Sequence, residues 1–241
     1  MDPIAQLASR LRSAKRITVL TGAGVSAASG IPTFRGEDGL WNDKRAEELA
    51  TPGGFAADPK LVWEWYDWRR QIIARAQPNA AHLTLARWAR ERPGTTLITQ
   101  NVDGLHESAG STHVVRMHGS IWMLRCWAPC GEGAEGWVDE RVPLSPLPPH
   151  CPHCGGLARP GVVWFGEELS PAVLEACDAA CDCDVFLSIG TSSLVYPAAG
   201  LLYQSRRRGA YTVEINPHVT EASRFVHLGI AERAEDVLRR I

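Results

Sequence analysis

The chain has 241 residues and a mass of 26.3 kDa, which suits one large domain or one domain with a smaller insert. Hydrophobic residues make up 45% and charged residues 22%, so disordered, collagen-like and coiled-coil classes are excluded. A net charge of -2 and a pI of about 6.4 offer no general basic surface, so we expect no nucleic-acid partner. Apolar runs are too short for a membrane span, and the first twenty residues hold no long apolar stretch typical of a secretory signal. We therefore expect a cytoplasmic protein without membrane contact.

The N-terminal elements predict the opening of a nucleotide-binding fold. Residues 2–13 have helical spacing of apolar side chains, with Asp2 as a cap and Pro3 at the first helical position. Residues 17–20 are apolar and β-rich, and the glycine turn 21–24 follows at once. A strand, a glycine turn and then a helix are typical of a dinucleotide-binding α/β unit.

Further strands with the same non-alternating apolar pattern are predicted at 95–99, 185–189 and 211–215, with a crossover helix at 197–208. The fold class predicted is α/β, a Rossmann-like and mostly parallel sheet with helices on both faces. Two stretches do not fit this pattern: a helical, tryptophan-rich insert and a segment rich in Cys, Gly and Pro. We therefore predict a single catalytic domain, 1–241, with a large lobe and a small lobe. The large lobe comprises 1–36, 81–119 and 160–241, and the small lobe comprises 37–80 and 120–159.

The glycine turn is the first candidate binding element. Glycines at 22 and 24 let the backbone approach a pyrophosphate, and N–H groups at the start of a helix face the anion. Ala27 stands where the third glycine of G-x-G-x-x-G would be, which argues against an ordinary dehydrogenase.

Other polar segments follow predicted strands, at the sheet edge where ligands bind in open α/β folds. The segment 99–106 supplies amides and a carboxylate, and 190–193 and 214–217 supply hydroxyl, amide and glycine groups. His118 stands beside a glycine and is a candidate general base near neutral pH.

Four of the seven cysteines have the spacing of a metal site. Cys126-x3-Cys130 and Cys151-x2-Cys154 form two pairs separated by 20 residues. Four thiolates suit tetrahedral Zn²⁺ and leave no position for water, so the predicted zinc is structural. His150 and His153 are rival ligands. The remaining cysteines are expected to be packing or surface thiols.

The chain resembles the sirtuin family. The segments G-A-G-V-S, G-I-P-T-F-R-G, T-Q-N-V-D, M-H-G, V-V-W-F-G-E, G-T-S-S and I-N-P stand in the sirtuin order and roughly at the sirtuin spacing, from about Arg16 to the C-terminus. The resemblance implies an NAD-dependent removal of acyl groups from protein lysine side chains. In that reaction the acyl oxygen attacks the ribose carbon that bears nicotinamide, and nicotinamide and O-acyl-ADP-ribose are the products.

The resemblance also implies the roles of individual residues. His118 matches the catalytic base, and Asn101 and Asp103 match positions that orient the nicotinamide end. The implied cofactor-binding residues, besides Asn101 and Asp103, are Gly22, Ala23, Gly24, Ser26, Phe34, Arg35, Trp41, Gln100, Val102, Gly190, Thr191, Ser192, Asn216 and Ala234. Ala231 is the alternative to Ala234. The implied substrate-binding strip contains Val163, Phe165, Gly166 and Glu167, which would pair with the peptide like an added strand.

A second feature resembles the class III sirtuins, which accept succinyl- and malonyl-lysine. Tyr66 and Arg69 share one face of a predicted helix, where a phenol and a guanidinium would bind a carboxylate. Ala50 resembles the small residue that makes room for a longer acyl group. Acetyl-lysine stays possible as a substrate. Packing of the same helix is predicted to use other side chains: Leu61, Trp65, Trp68 and Ile72.

Three other functions compete with deacylation. An NAD glycohydrolase or ADP-ribosyltransferase would use the same pocket and release nicotinamide without any acyl peptide. An NAD-sensing binding module would be expected to lack part of the catalytic set, yet Asn101, Asp103 and His118 are all present. A dehydrogenase is disfavoured by the missing third glycine and the cysteine pairs. The leading hypothesis is a monomeric deacylase whose partner is an acylated lysine on a protein or peptide.

Overall fold

The computed structural model describes residues 2–33, 44–128 and 130–241, and the side chains of 44–46 are outside that description. The main sheet contains the parallel strands β1 (Ile17–Thr21), β2 (Thr95–Thr99), β3 (Val114–Arg116), β7 (Val185–Ile189), β8 (Tyr211–Ile215) and β9 (Leu228–Ile230). These six strands lie in the order β3-β2-β1-β7-β8-β9. The prediction of an α/β fold with a mostly parallel sheet is confirmed, and the strands predicted at 95–99, 185–189 and 211–215 have those bounds.

Helices cover both faces of the main sheet, which explains why its strands are apolar without alternation. Val19, Leu97 and Leu187 belong to one buried cluster, and Leu20 and Phe186 belong to the cluster on the opposite face. The α-helices of the described residues are α1 (Pro3–Ser13), α2 (Lys44–Leu49), α3 (Pro52–Ala57), α4 (Pro59–Arg75), α5 (Ala80–Glu91), α6 (Leu105–Ser108), α7 (Glu132–Glu135), α8 (Pro171–Ala180), α9 (Ala198–Arg207) and α10 (Ala234–Leu238). Asp2 caps α1, since its carboxylate accepts hydrogen bonds from the N–H groups of Ile4 and Ala5.

The strand order places a switch point between β1 and β7. From β1 the chain continues to β2 and β3 on one side, and β7 begins the run to β8 and β9 on the other. In open α/β folds the ligand-binding crevice forms at such a switch point, beside the loops that follow the two strands. After β1 the chain forms a 3₁₀ helix, Ala23–Ser29, rather than the α-helix that the sequence predicts.

A second sheet of three antiparallel strands, in the order β5-β4-β6, lies in the segment that shows little periodicity. Its strands are β4 (Gly119–Cys126), β5 (Trp137–Val138) and β6 (Ala158–Val162). These strands have no clear signal in the sequence because glycines, prolines and the metal-site cysteines interrupt their alternation. The division of the chain into the two lobes stated above stays a prediction.

The helix α4 buries a different face from the one predicted. Leu61 and Trp68 are 41% and 45% exposed, whereas Val62, Trp63 and Tyr66 are buried. The predicted packing stripe is therefore wrong for Leu61 and Trp68, whereas Trp65 is partly buried and packs against the core cluster. Polar residues share the buried face because they find hydrogen-bond partners there, and a count of apolar side chains cannot detect such partners.

Candidate active site

The loops after β1 and β7 touch directly at glycines. The N–H of Gly24 donates a 2.8 Å hydrogen bond to the carbonyl of Gly190, which has a φ of 60°. A Cβ on Gly22 or Gly24 would lie 2.8 Å from backbone atoms of Gly190 or Thr191. Only glycine allows this approach, so the sequence dictates a tight, backbone-lined junction at the switch point.

A large cleft opens from this junction, and its walls come from both sheets and from α4. It brings together most of the residues that the sequence predicts as functional. Those lining the cleft are Gly22, Ala23, Gly24, Ala50, Tyr66, Arg69, Gln100, Asn101, Val102, His118, Val163, Phe165, Gly166, Glu167, Gly190, Thr191, Ser192, Asn216 and Ala234.

A smaller cavity adjoins the cleft and contains the remaining described candidates. Ser26 and Asp103 line it together with Ile31 and Pro32, which the sequence analysis did not assign. Ala23, Arg69, Asn101 and Val102 line both spaces. Phe34, Arg35 and Trp41 lie outside the described residues.

His118 is held by a backbone hydrogen bond. Its Nδ1 lies 3.0 Å from the carbonyl of Gln100. A carbonyl oxygen only accepts, so Nδ1 carries the proton and, in the neutral ring, Nε2 keeps a lone pair. Burial lowers the pKa of His118 below 6.5, although the bond to Gln100 opposes this shift. The ring is thus neutral at physiological pH and suited to accept a proton.

A buried network fixes the residues of the smaller cavity. Ser26 donates a 2.8 Å hydrogen bond to Asp103 Oδ2, and the N–H of Leu105 donates to Oδ1 at 2.9 Å. The amide of Asn101 donates to the carbonyl of Gly22 at 3.1 Å and to the hydroxyl of Ser26 at 3.2 Å. Burial raises the pKa of Asp103, while these hydrogen bonds favour its carboxylate. The network holds an amide and a carboxyl group in fixed positions beside the glycine turn.

Another part of the cleft wall, on the β7 side of the glycine junction, is organised around Thr191. The side chain of Gln100 donates to its hydroxyl at 2.9 Å, and Asn216 donates to its carbonyl at 2.9 Å. Ala234 is buried and lines the cleft, whereas Ala231 is exposed. The geometry favours Ala234 of the two alternatives.

Tyr66 and Arg69 lie on the inner face of α4 and are only 2% and 8% exposed. The guanidinium of Arg69 lies 4.8 Å from the ring centroid of Trp65 and 5.5 Å from that of Tyr66. A cation that packs against aromatic rings is oriented and partly desolvated, which strengthens its attraction for an anion. Both side chains reach the cleft from one turn of the helix, as their spacing predicts.

The strip 163–167 forms the rim of the cleft. The N–H of Val163 donates to the carbonyl of His118, and the N–H of Phe165 donates to that of Ala50, each at 3.0 Å. The carboxylate of Glu167 turns inward, where it pairs with Arg159 at 2.5 and 2.9 Å. Glu167 therefore stabilises the rim through its side chain.

The four predicted zinc ligands converge. One ligand atom from each of Cys126, Cys130, Cys151 and Cys154 lies within 4.8 Å of the others. Neither His150 nor His153 belongs to this group in the described part of the chain, and His153 pairs instead with Glu132 at 2.8 Å. Four sulfur ligands at this separation fit a structural zinc ion, so the prediction is confirmed. The spacing of Cys126 and Cys130 is one residue longer than that of Cys151 and Cys154, and all four sulfur atoms still lie close together.

Several cleft residues escaped the sequence analysis. The side chain of Trp164 is buried behind the rim, and Leu194, Val195, Pro217 and Val219 form an apolar border opposite the strip. Leu194 and Val219 are 46% and 89% exposed. Exposed apolar residues that follow the ends of β7 and β8 are the signal that could have identified this border.

Together, the switch-point crevice, the glycine junction and the cysteine cluster define a dinucleotide-binding α/β protein with a zinc module. The model of the Sir2 family matches residues 22–197. An NAD-dependent protein deacylase of Aquifex aeolicus is 50% identical over 226 residues, covering 93% of each chain. The chain belongs to the Sir2 family.

Solved structures agree with this assignment. A Sir2 homologue in complex with NAD superimposes with a TM-score of 0.90 at 45% identity, covering 98% of this chain and 91% of the other. A Sir2 histidine variant with a deacetylated p53 peptide and 3'-O-acetyl ADP-ribose has a TM-score of 0.90 at 29% identity, covering 98% and 96%. Among the described residues, no helix combines the length and the apolar character needed to cross a bilayer.

Proposed function

We propose that this chain is an NAD-dependent protein-lysine deacylase that prefers acidic acyl groups. The observation that carries the proposal is the shared cleft. The oriented His118, the glycine junction and the Tyr66–Arg69 pair all open into it. Relatives named NAD-dependent protein deacylase support the reaction class.

NAD supplies an activated ribose carbon with nicotinamide as the leaving group. The residues of this chain bind and orient it. The glycine turn at Gly22, Ala23 and Gly24 suits the phosphates, since it lines the cleft without a bulky side chain and lets them approach the backbone closely. Asn101 and Asp103, fixed through Ser26, suit the carboxamide and ribose of the nicotinamide end. The adenosine end is assigned to Gln100, Gly190, Thr191, Ser192, Asn216 and Ala234.

His118 acts as the general base in this proposal. Its Nε2 lone pair accepts a proton from a ribose hydroxyl, while the carbonyl of Gln100 holds the Nδ1–H and so fixes the ring. Burial keeps the ring neutral before the transfer. Proton transfer of this kind is worth about 10²–10⁴-fold in rate.

The acyl group is recognised by α4. An extended carboxylate would meet the guanidinium of Arg69 and the phenol of Tyr66, two donors that are already buried and oriented. Ala50 keeps the adjacent wall short. Succinyl- and malonyl-lysine are therefore the proposed preferred substrates, with acetyl-lysine accepted at a lower rate.

The peptide lies along the rim in this proposal. Residues 163–167 would pair with its backbone like an added strand, and the apolar border from Leu194 to Val219 would face its side chains. The zinc module stabilises this side of the cleft without touching the reaction. A cytoplasmic monomer built from the two lobes described above, without a nucleic-acid partner, completes the proposal.

The test is nicotinamide release by the purified protein with NAD, measured without peptide, with an acetyl-lysine peptide and with a succinyl-lysine peptide. We expect the fastest release with succinyl-lysine. Arg69→Met should lower the succinyl-to-acetyl ratio of kcat/KM by about 10-fold or more, since a charge-assisted hydrogen bond contributes about 1.5–3 kcal/mol. Arg75→Met, an exposed arginine on the same helix, is the matched control and should leave the ratio unchanged.

The outcomes separate the candidate functions. Equal release with and without peptide would instead identify an NAD glycohydrolase or ADP-ribosyltransferase. Faster release with acetyl-lysine than with succinyl-lysine would keep the deacylase but contradict the acidic preference.

A further inference from the structure

The phenol of Tyr66 has a buried hydrogen-bond partner behind the cleft. The indole Nε1–H of Trp164 donates to the Tyr66 oxygen at 2.9 Å, and both side chains are 2% exposed. An indole nitrogen only donates, so the phenol oxygen must be the acceptor in this bond. The proton of the Tyr66 hydroxyl is consequently directed to a different acceptor.

The indole of Trp164 is itself fixed on two sides. The guanidinium of Arg159 lies 3.5 Å from its ring centroid, and Phe55 packs at a centroid distance of 5.4 Å. Glu167 pairs with Arg159 and also accepts a 2.8 Å hydrogen bond from the backbone N–H of Trp164. The carboxylate of Glu167 therefore holds the backbone of Trp164 directly and holds its ring through Arg159.

We propose that Trp164 is a positioning residue for acidic acyl recognition, because it occupies the acceptor side of Tyr66 and leaves the phenolic O–H to donate to the acyl carboxylate. This inference rests on the proposed preference for acidic acyl groups. A carboxylate offers only acceptors, so Tyr66 serves it only as a donor. An acetyl group has no carboxylate at this position and gains nothing from the arrangement.

The protonation state of Tyr66 agrees with this role. Burial raises the pKa of its hydroxyl, against the opposing influence of Arg69 and of the Trp164 bond. The phenol is therefore neutral at physiological pH and keeps its proton. Each accepted hydrogen bond also polarises the hydroxyl and makes it a better donor.

The experiment is a double-mutant cycle with Trp164→Phe and Tyr66→Phe. The readout is the ratio of kcat/KM for succinyl-lysine to that for acetyl-lysine, in which the fraction of folded protein cancels. Trp164→Phe keeps the aromatic ring and removes the N–H. We expect it to lower the ratio about fivefold in the Tyr66 background, the loss of about one neutral hydrogen bond, and to have no further effect in the Tyr66→Phe background.

The control is Trp63→Phe, which removes another buried indole N–H, one that donates to the carbonyl of Ala158. Its ratio should equal that of the wild type. If Trp164→Phe fails to fold, Arg159→Met is the second variant. It keeps the indole but removes the guanidinium that packs on the ring and helps to hold it in place. We expect it to lower the ratio only when Tyr66 is present.

Two results would overturn the inference: an unchanged ratio in Trp164→Phe, or the same loss with and without the Tyr66 hydroxyl. A wild-type enzyme that prefers acetyl-lysine would instead refute the proposed function itself.

Discussion

Burial lowers the pKa values of His82, His106 and His118, but the three side chains have different surroundings. His118 faces the cleft and is oriented by one backbone carbonyl. His82 and His106 lie deeper, with ring centroids 4.9 Å apart, and burial lowers their pKa values to about 4 and about 3. Nε2 of His106 lies 2.9 Å from the hydroxyl of Thr21. His118 combines a lowered pKa with access to the cleft, which is the combination that a general base needs.

At the residue scale, we predict the pH dependence of catalysis. His118→Ala should lower deacylation at least about 10²-fold, since it removes the base. In the wild type, acid protonates His118 and stops the reaction. Because burial lowers its pKa, activity should persist to a lower pH than a free histidine, of pKa 6.5, would allow. The measurement is the pH profile of kcat/KM, with exposed His113→Ala as the control. An acid midpoint at or above 6.5 would contradict the assignment.

At the element scale, α4 joins the cleft to the zinc module. Tyr66 and Arg69 face the cleft, while Arg70 points into the small sheet and is fully buried. Arg70 donates to the carbonyls of Ile121 at 3.0 Å and Arg141 at 3.1 Å, and it pairs with Asp139 at 3.6 Å. A helix with polar contacts on its inner face is positioned more specifically than one held by apolar packing alone, because each bond has a direction.

We therefore predict that Arg70→Met loosens the zinc module. The change removes the buried donor of the carbonyls of Ile121 and Arg141, whereas Asp139 keeps its pair with Arg141 at 2.6 Å. Buried carbonyls without a donor should destabilise the protein by about 3 kcal/mol. The rate of zinc transfer to a coloured chelator should rise in parallel. Exposed Arg75→Met is the control on the same helix and should change neither the unfolding midpoint nor the transfer rate. Unchanged zinc transfer in Arg70→Met would show that α4 and the module are independent.

At the scale of the whole molecule, the two deep histidines couple stability to pH. Their folded pKa values of about 4 and about 3 lie below the 6.5 of an unfolded chain. Between these limits the unfolded chain binds more protons, so stability falls as the pH falls through 6.5. Each histidine alone should contribute a loss of about 2 kcal/mol by about pH 5.

The corresponding prediction concerns His106→Asn. The stability of this variant should fall by about 2 kcal/mol less than that of the wild type between about pH 7.5 and about pH 5. The reason is that its unfolded chain lacks one histidine that would bind a proton in this range. Urea unfolding at the two pH values measures the difference. His113→Asn replaces an exposed histidine and should keep the wild-type slope. Equal slopes for His106→Asn and the wild type would mean that His106 is not held neutral in the fold.

The amino-acid pattern was sufficient to predict the central strands, the glycine turn and the cysteine ligands. Each depends on local chemistry: apolar runs that must be buried on both faces, glycines required by close backbone contact, and thiols at metal-binding spacing. It also placed His118, Tyr66 and Arg69 by motif.

The buried face of α4, the position of the second sheet and the bond between Trp164 and Tyr66 depend on the folded arrangement of the chain. In each case the partner is distant in the sequence, and Tyr66 and Trp164 are 98 positions apart. A hydrogen bond between such distant residues leaves no periodic signal in the sequence. The physical reason is that burial of polar groups depends on partners that meet only after folding.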